Sequence, residues 1–170
     1  LEDGETVFHE FGHAMHGLLT EAKYKSQAGT RVRRDFVELP SQLQEEWFHA
    51  LLRSSESDLG RHHETGRKIP LALLDSLREM NKLEAGFWGL RQTFSGLLDM
   101  KWHTQDPATI RSLEALEDEV AAVASLLPRV EGCSTSASFT HLFSGGYEAG
   151  YYGYKWADVA AADVAHRALG

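Results

Sequence analysis

Apolar and polar positions alternate at helical spacing along most of the 170 residues. Glu5–Leu19 reads as one amphipathic helix, with outer limits near 3–22. A second helix is predicted from about Glu38 to Arg53, and Ser54–Lys68 is polar enough to be a connection holding at most a helical turn. Pro70 suits the first turn of a helix to about Lys82. The spacing of Leu83, Phe87, Leu90, Phe94, Leu97 and Leu98 continues it as a buried helix to about His103. Asp106-Pro107 is a cap-plus-first-turn pair that opens another helix, which Pro128 ends. Gly132–Ser138 is a serine-rich loop, and a glycine- and tyrosine-rich helical segment follows over 139–168. Only the stretch near 24–37, with Gly29 as a turn and Val32 between arginines, invites extended structure, at most two or three short strands. The predicted class is therefore all-α, with no internal repeat.

Composition narrows the setting. At 42% hydrophobic and 25% charged residues the chain is an ordinary globular sequence for which one domain is the natural count. A net charge of -8 argues against a nucleic-acid partner, and the one basic cluster, Arg31-Val32-Arg33-Arg34, either faces solvent or meets a peptide carboxylate. No stretch approaches 18 apolar residues and no signal peptide is visible, so no membrane partner is expected. The single cysteine, Cys133, allows no intrachain disulfide and has no neighbouring histidine to act as its base, which favours a reducing, cytoplasmic compartment.

The first helix carries the chemistry. His9-Glu10-Phe11-Gly12-His13 is an HExxH sequence. At about 100° per residue the two histidines project about 40° apart, so both imidazoles can reach one metal ion with Glu10 beside them. Two imidazoles and one more protein ligand leave a zinc position for water, whose proton the glutamate can take as it attacks a carbonyl. The third ligand is not a histidine six residues on, since that arrangement needs glycine at 16 and histidine at 19, where this chain has His16 and Leu19. Glu21, Glu38, Glu45 and Glu46 qualify by type. Glu21 follows His13 too closely to fold back, whereas Glu38 lies beyond the turn-rich Ser26–Thr30 at a plausible return distance.

Glu38 has a competing reading. Asp35-Phe36-Val37-Glu38 matches a D-x-x-E capping box, in which the glutamate serves only its own backbone. Pro40 favours a helix start nearer Glu38, which leaves the carboxylate available to a metal. His16 is two turns along from His9 and reads as a packing or supporting residue; His49, His62, His63 and His103 read as surface or helix-face residues. Glu5, Asp35, Gln42 and Glu45 are all possible partners for the ligating imidazoles, and the sequence does not choose among them.

Tyr147, Tyr151 and Tyr154 recur at i, i+4 and i+7, which on a helix places three phenols on one stripe able to donate to developing negative charge or merely to pack. Ser144-Gly145-Gly146 before them reads as a hinge that closes on a ligand.

Three ordered runs, HEFGHAMHGLLT, GTRVRRDFVELPSQLQEEW and FTHLFSGGYEAGYYGYKWADVAAADV, resemble the thimet-oligopeptidase family of zinc metallopeptidases, which includes oligopeptidase A and bacterial peptidyl-dipeptidase. ETGRKIP and LLDMKWH lie between them where the family has similar segments, so the likeness covers essentially the whole chain. The resemblance implies a helical, zincin-like catalytic core that takes one Zn2+ through His9, His13 and Glu38, with Glu10 as general base. It implies that His141, Tyr147, Tyr151 and Tyr154 contact substrate and stabilise the transition state, Tyr154 as the main oxyanion donor. Short peptides are the implied substrates, cleaved internally or as C-terminal dipeptides. Family members are several times longer, so the chain resembles an excised core that lacks N- and C-terminal parts of a longer parent. A non-catalytic zinc-binding or interaction fragment is the rival reading, and an unmetallated helical scaffold a third.

Overall fold

The computed structural model describes residues 1–169. Helices dominate: α1 (Glu2–Leu18), α2 (Arg34–Val37), α3 (Leu39–Arg53), α4 (Leu71–Thr104), α5 (Leu113–Ala124), α6 (Thr135–Ser138) and α7 (Gly153–Leu169). Among the described residues the only β pairing is an isolated antiparallel bridge, Arg61 with Lys68, so the fold is all-α. The chain groups into two compact units, one of residues 1–82 with 154–170 and the other of residues 83–153.

In the first unit α1 starts with Glu2, Asp3 and Glu5 in its first turn, where acidic side chains favour the positive end of the helix dipole. It packs against α3 at very close range through Gly12. Phe48, Leu52 and Leu74 form the buried core, with Phe8, Leu59 and Ile69 around it, and the Phe8 and Phe48 rings lie 5.1 Å apart. The Ser54–Lys68 connection is tied back by the Lys68 ammonium, which donates to the carbonyls of Ser54 and Ser57.

No strand forms near 24–37. The segment tightens into 3-10 turns at Lys25–Gln27 and Gly29–Arg31 and then into α2. Its N–H groups find partners three residues back, Gln27 with the Tyr24 carbonyl and Arg31 with that of Ala28. Local turns satisfy the backbone there without a neighbouring strand.

In the second unit Leu98, Leu116, Val120 and Leu142 are buried together, with Phe94, Trp102, Ile110 and Phe139 against them. Glu117 is fully buried among them. Its carboxylate accepts from the Ser134 hydroxyl and the Ser136 N–H, both at 2.7 Å. Burial alone would raise this acid, yet the hydrogen bonds from Ser136 and Ser134 outweigh it and hold Glu117 below the usual carboxylate range.

The structure departs from the sequence expectations at four places. The serine-rich stretch 132–138, expected as a loop, closes its last four residues into α6, with the Ser134 hydroxyl accepting from the Ala137 N–H. The apolar series on α4 is not buried throughout: Leu98 is 0% exposed but Leu83 is 86% exposed and Phe87 and Leu97 are also open. Periodicity identifies a shared side of a helix, not what covers it. Asp106 does cap a helical turn, accepting from the Ala108 N–H, but only the 3-10 turn Pro107–Thr109; the following helix starts at Leu113, where Ser112 accepts from the Ala115 N–H, and ends before Pro128 at Ala124. Tyr147 and Tyr151 do not share a helix with Tyr154. They sit in turns before α7, closed by Gly150 N–H to Tyr147 carbonyl at 2.7 Å and Gly153 N–H to Gly150 carbonyl at 3.0 Å.

Candidate metal centre

The α1–α3 crossing brings His9, His13 and Glu38 together, their ligand atoms all within 4.8 Å of one another. The Nε2 atoms of both imidazoles lie 3.3 Å from the same oxygen, Glu38 Oε2, and the rings stand edge to face with centroids 4.9 Å apart. Glu38 is 1% exposed. A buried carboxylate needs compensation, and here it is two imidazoles and the Ser41 hydroxyl, 3.0 Å from Oε2.

Local sequence explains why Glu38 points inward. It is the residue immediately before α3, with Pro40 in the first turn, where a missing N–H costs nothing. The capping-box alternative does not form: α2 begins at Arg34 after Arg33, so Asp35 is inside that short helix and not at its cap. Gly12, between the histidines, lets the α3 backbone approach. A Cβ built there would stand 2.5 Å from Ser41 Cα and 2.6 Å from the Pro40 carbonyl oxygen.

Of the four candidate supporting residues, the structure places Glu45 on the site. Its Oε1 lies 2.5 Å from His9 Nδ1, leaving Nε2 turned to Glu38. Contacts with Glu38 and then Glu45 push the His9 imidazole up to about 10. Glu5 pairs with His49 at 3.1 Å instead, and Asp35 with Arg33 at 3.5 Å. Gln42 donates to the Tyr154 carbonyl at 3.1 Å, tying the start of α7 to α3. His13 Nδ1 is buried without a hydrogen-bond partner among the described residues. Burial, and then the neighbouring His13, lower His16, which rests edge to face near Phe36. Glu10 is exposed on α1.

Two imidazole nitrogens and a carboxylate oxygen form a donor set that suits a divalent transition metal, and the crowding of three such groups around one point fits an ion between them.

Of the other predicted residues, His141, Tyr147 and Tyr151 lie in the second unit, whereas Tyr154 stands in the first turn of α7 and belongs to the first. His141 stands edge to face with Tyr147 at 5.3 Å and with Tyr151 at 5.7 Å, and Phe139 packs on both His141 and Tyr151. Tyr151 borders a cleft of about 660 Å3 shared with Arg91, Gln92, Phe94 and Phe139. Burial raises its phenol, an effect that hydrogen bonds with Gln92 and Ser95 partly offset. Sequence reasoning missed Ser41 and Asp99. The one signal for Asp99 was a carboxylate set inside an apolar run, Leu97-Leu98-Asp99-Met100.

A family model for peptidase family M3 matches residues 1–169. The chain belongs to that family. Among relatives with known roles it is 37% identical over 164 residues to the dipeptidyl carboxypeptidase of Salmonella typhimurium and 37% identical over 165 residues to oligopeptidase A of Escherichia coli. It is 38% identical over 162 residues to the organellar oligopeptidase A of Arabidopsis thaliana. These alignments cover 94–95% of this chain but only 20–24% of each relative, so the chain spans about a quarter of their length or less. M3 relatives of both names are similar to the chain to nearly the same degree, so identity favours neither name. Among the described residues no helix is long and apolar enough to cross a membrane.

Proposed function

We propose that this chain is the catalytic segment of a zinc-dependent peptidase acting on short oligopeptides, as an endo-oligopeptidase or a peptidyl-dipeptidase. The observation that carries the reading is the convergence of His9 Nε2, His13 Nε2 and Glu38 Oε2 at one point on an HExxH helix. Membership of peptidase family M3 and the names of the relatives support the reaction class.

His9, His13 and Glu38 would hold the zinc, with Glu45 fixing the His9 ring through Nδ1. Bound there, zinc supplies Lewis acidity to water and to the substrate carbonyl. Glu10, exposed on α1 and next in the chain to His9, takes the proton from the attacking water and passes it to the leaving amine. Tyr154 donates its phenol O–H to the oxygen that gains charge, His141 with Tyr147 holds the peptide backbone, and Tyr151 contacts substrate. Gln42 steadies the Tyr154 backbone at the start of α7. A cytoplasmic setting rests on the lone, exposed Cys133.

Replacing Glu10 by Gln removes the proton acceptor and keeps the shape. Hydrolysis of a fluorogenic oligopeptide should fall by about 10^2-fold or more while bound zinc per chain is unchanged. Turnover that survives E10Q would defeat this mechanism. A metal-loaded wild type that cleaves no peptide would favour the non-catalytic zinc-binding reading.

A further inference from the structure

Asp99 lies in the C-terminal half of α4 and is 0% exposed. Its two oxygens accept from two backbone groups of the tyrosine turn, Oδ1 from the Ala149 N–H and Oδ2 from the Tyr151 N–H, each at 3.0 Å. His103, one helical turn on, presents Nδ1 3.0 Å from Oδ1. A buried carboxylate is costly unless its lone pairs are used, and those of Asp99 are used mostly on a loop about fifty residues away in the chain.

The loop is also strained at the point of attachment. Ala149 has φ +56°, the left-handed region that residues with a Cβ avoid, so surrounding contacts must hold it there. The two amides bound by Asp99 flank Gly150 and include that of Ala149. Tyr147 precedes this clamp by two residues and Tyr151 is inside it, and both rings pack against His141. The orientation of the two phenols thus depends on a carboxylate that touches neither of them.

We propose that Asp99 is a positioning residue for the reaction, which sets the Tyr147–Tyr151 turn so that its tyrosines face substrate; this rests on the peptidase reading above. In the Asp99→Asn variant one acceptor oxygen becomes an NH2 that faces an N–H donor, so one of the two clamps is lost without a change of size. In protein carrying isotope-labelled tyrosine rings, the NMR signals of Tyr147 and Tyr151 should shift or broaden in D99N while that of Tyr24 stays in place. Zinc per chain should not change, and peptide turnover should fall about tenfold, carried by kcat and not by KM. Tyrosine signals that coincide with wild type, or an unchanged kcat, would overturn the proposal. A wild type that cleaves nothing would defeat the peptidase reading instead, and the tyrosine signals would then decide the clamp alone. If D99N does not fold, amide exchange on the wild type decides: Ala149 and Tyr151 should exchange about 100-fold more slowly than an open turn allows, and unprotected exchange at both would refute the clamp.

Discussion

Gly12 and Ser41 meet backbone to backbone, and a Cβ on Gly12 would stand 2.5 Å from Ser41 Cα. This contact sets the α1–α3 crossing, and the crossing sets the distance from the two histidines to Glu38. The obstacle to a side chain is backbone on both sides, Ser41 Cα and the Pro40 carbonyl, so it cannot rotate away.

Gly12→Ala should therefore force the helices apart. A loss of roughly 3 kcal/mol, at the upper end for overpacking, is expected in chemical denaturation, together with loss of tight metal binding. Normal stability and metal content in G12A would show that the crossing is wider in solution.

Glu45 acts on the metal site through His9. Glu45→Gln should keep the fold and weaken zinc by about 10- to 100-fold, as removal of a ligand's outer partner does, measured by competition with a chelator of known affinity. Equal affinity in the variant would mean that the contact with Nδ1 does not orient the ring.

Glu117 gives the second unit an acid-sensitive element. Because its folded pKa is lowered, its stabilisation is complete above the ordinary value of 4.5 and is lost as pH falls through the lowered folded value. Glu117→Gln, which removes the charged acceptor of two hydrogen bonds, should cost about 2 kcal/mol near neutral pH. The deficit should shrink below pH 4.5 in melting curves of the two proteins. A deficit independent of pH would assign the loss to packing and not to charge.

How much of this was legible beforehand differs between elements. The periodicity and Pro40 placed α1 and α3 within a few residues, and the HExxH spacing indicated which side of α1 carries the histidines. Glu38 could be preferred by distance along the chain, but Glu45 could not be picked from four candidates, because its choice depends on the crossing of two helices. The tyrosine spacing pointed to a single stripe that does not exist, since periodicity assumes a helix and Gly150 and the Asp99 clamp make a turn. Gly145 and Gly146 adopt φ of +83° and +80°, left-handed conformations that alanine would strain. The open side of α4 at Leu83 was invisible for a similar reason: hydrophobic spacing carries no information about what lies opposite.

Metal content by elemental analysis, on protein purified without added zinc and compared with Glu38→Ala, tests the central claim most directly. The trio of His9, His13 and Glu38 should hold one zinc per chain in the wild type, and the variant should lose it or hold it far more weakly. A wild type without zinc, or a variant that binds it equally well, would contradict the assignment of this site.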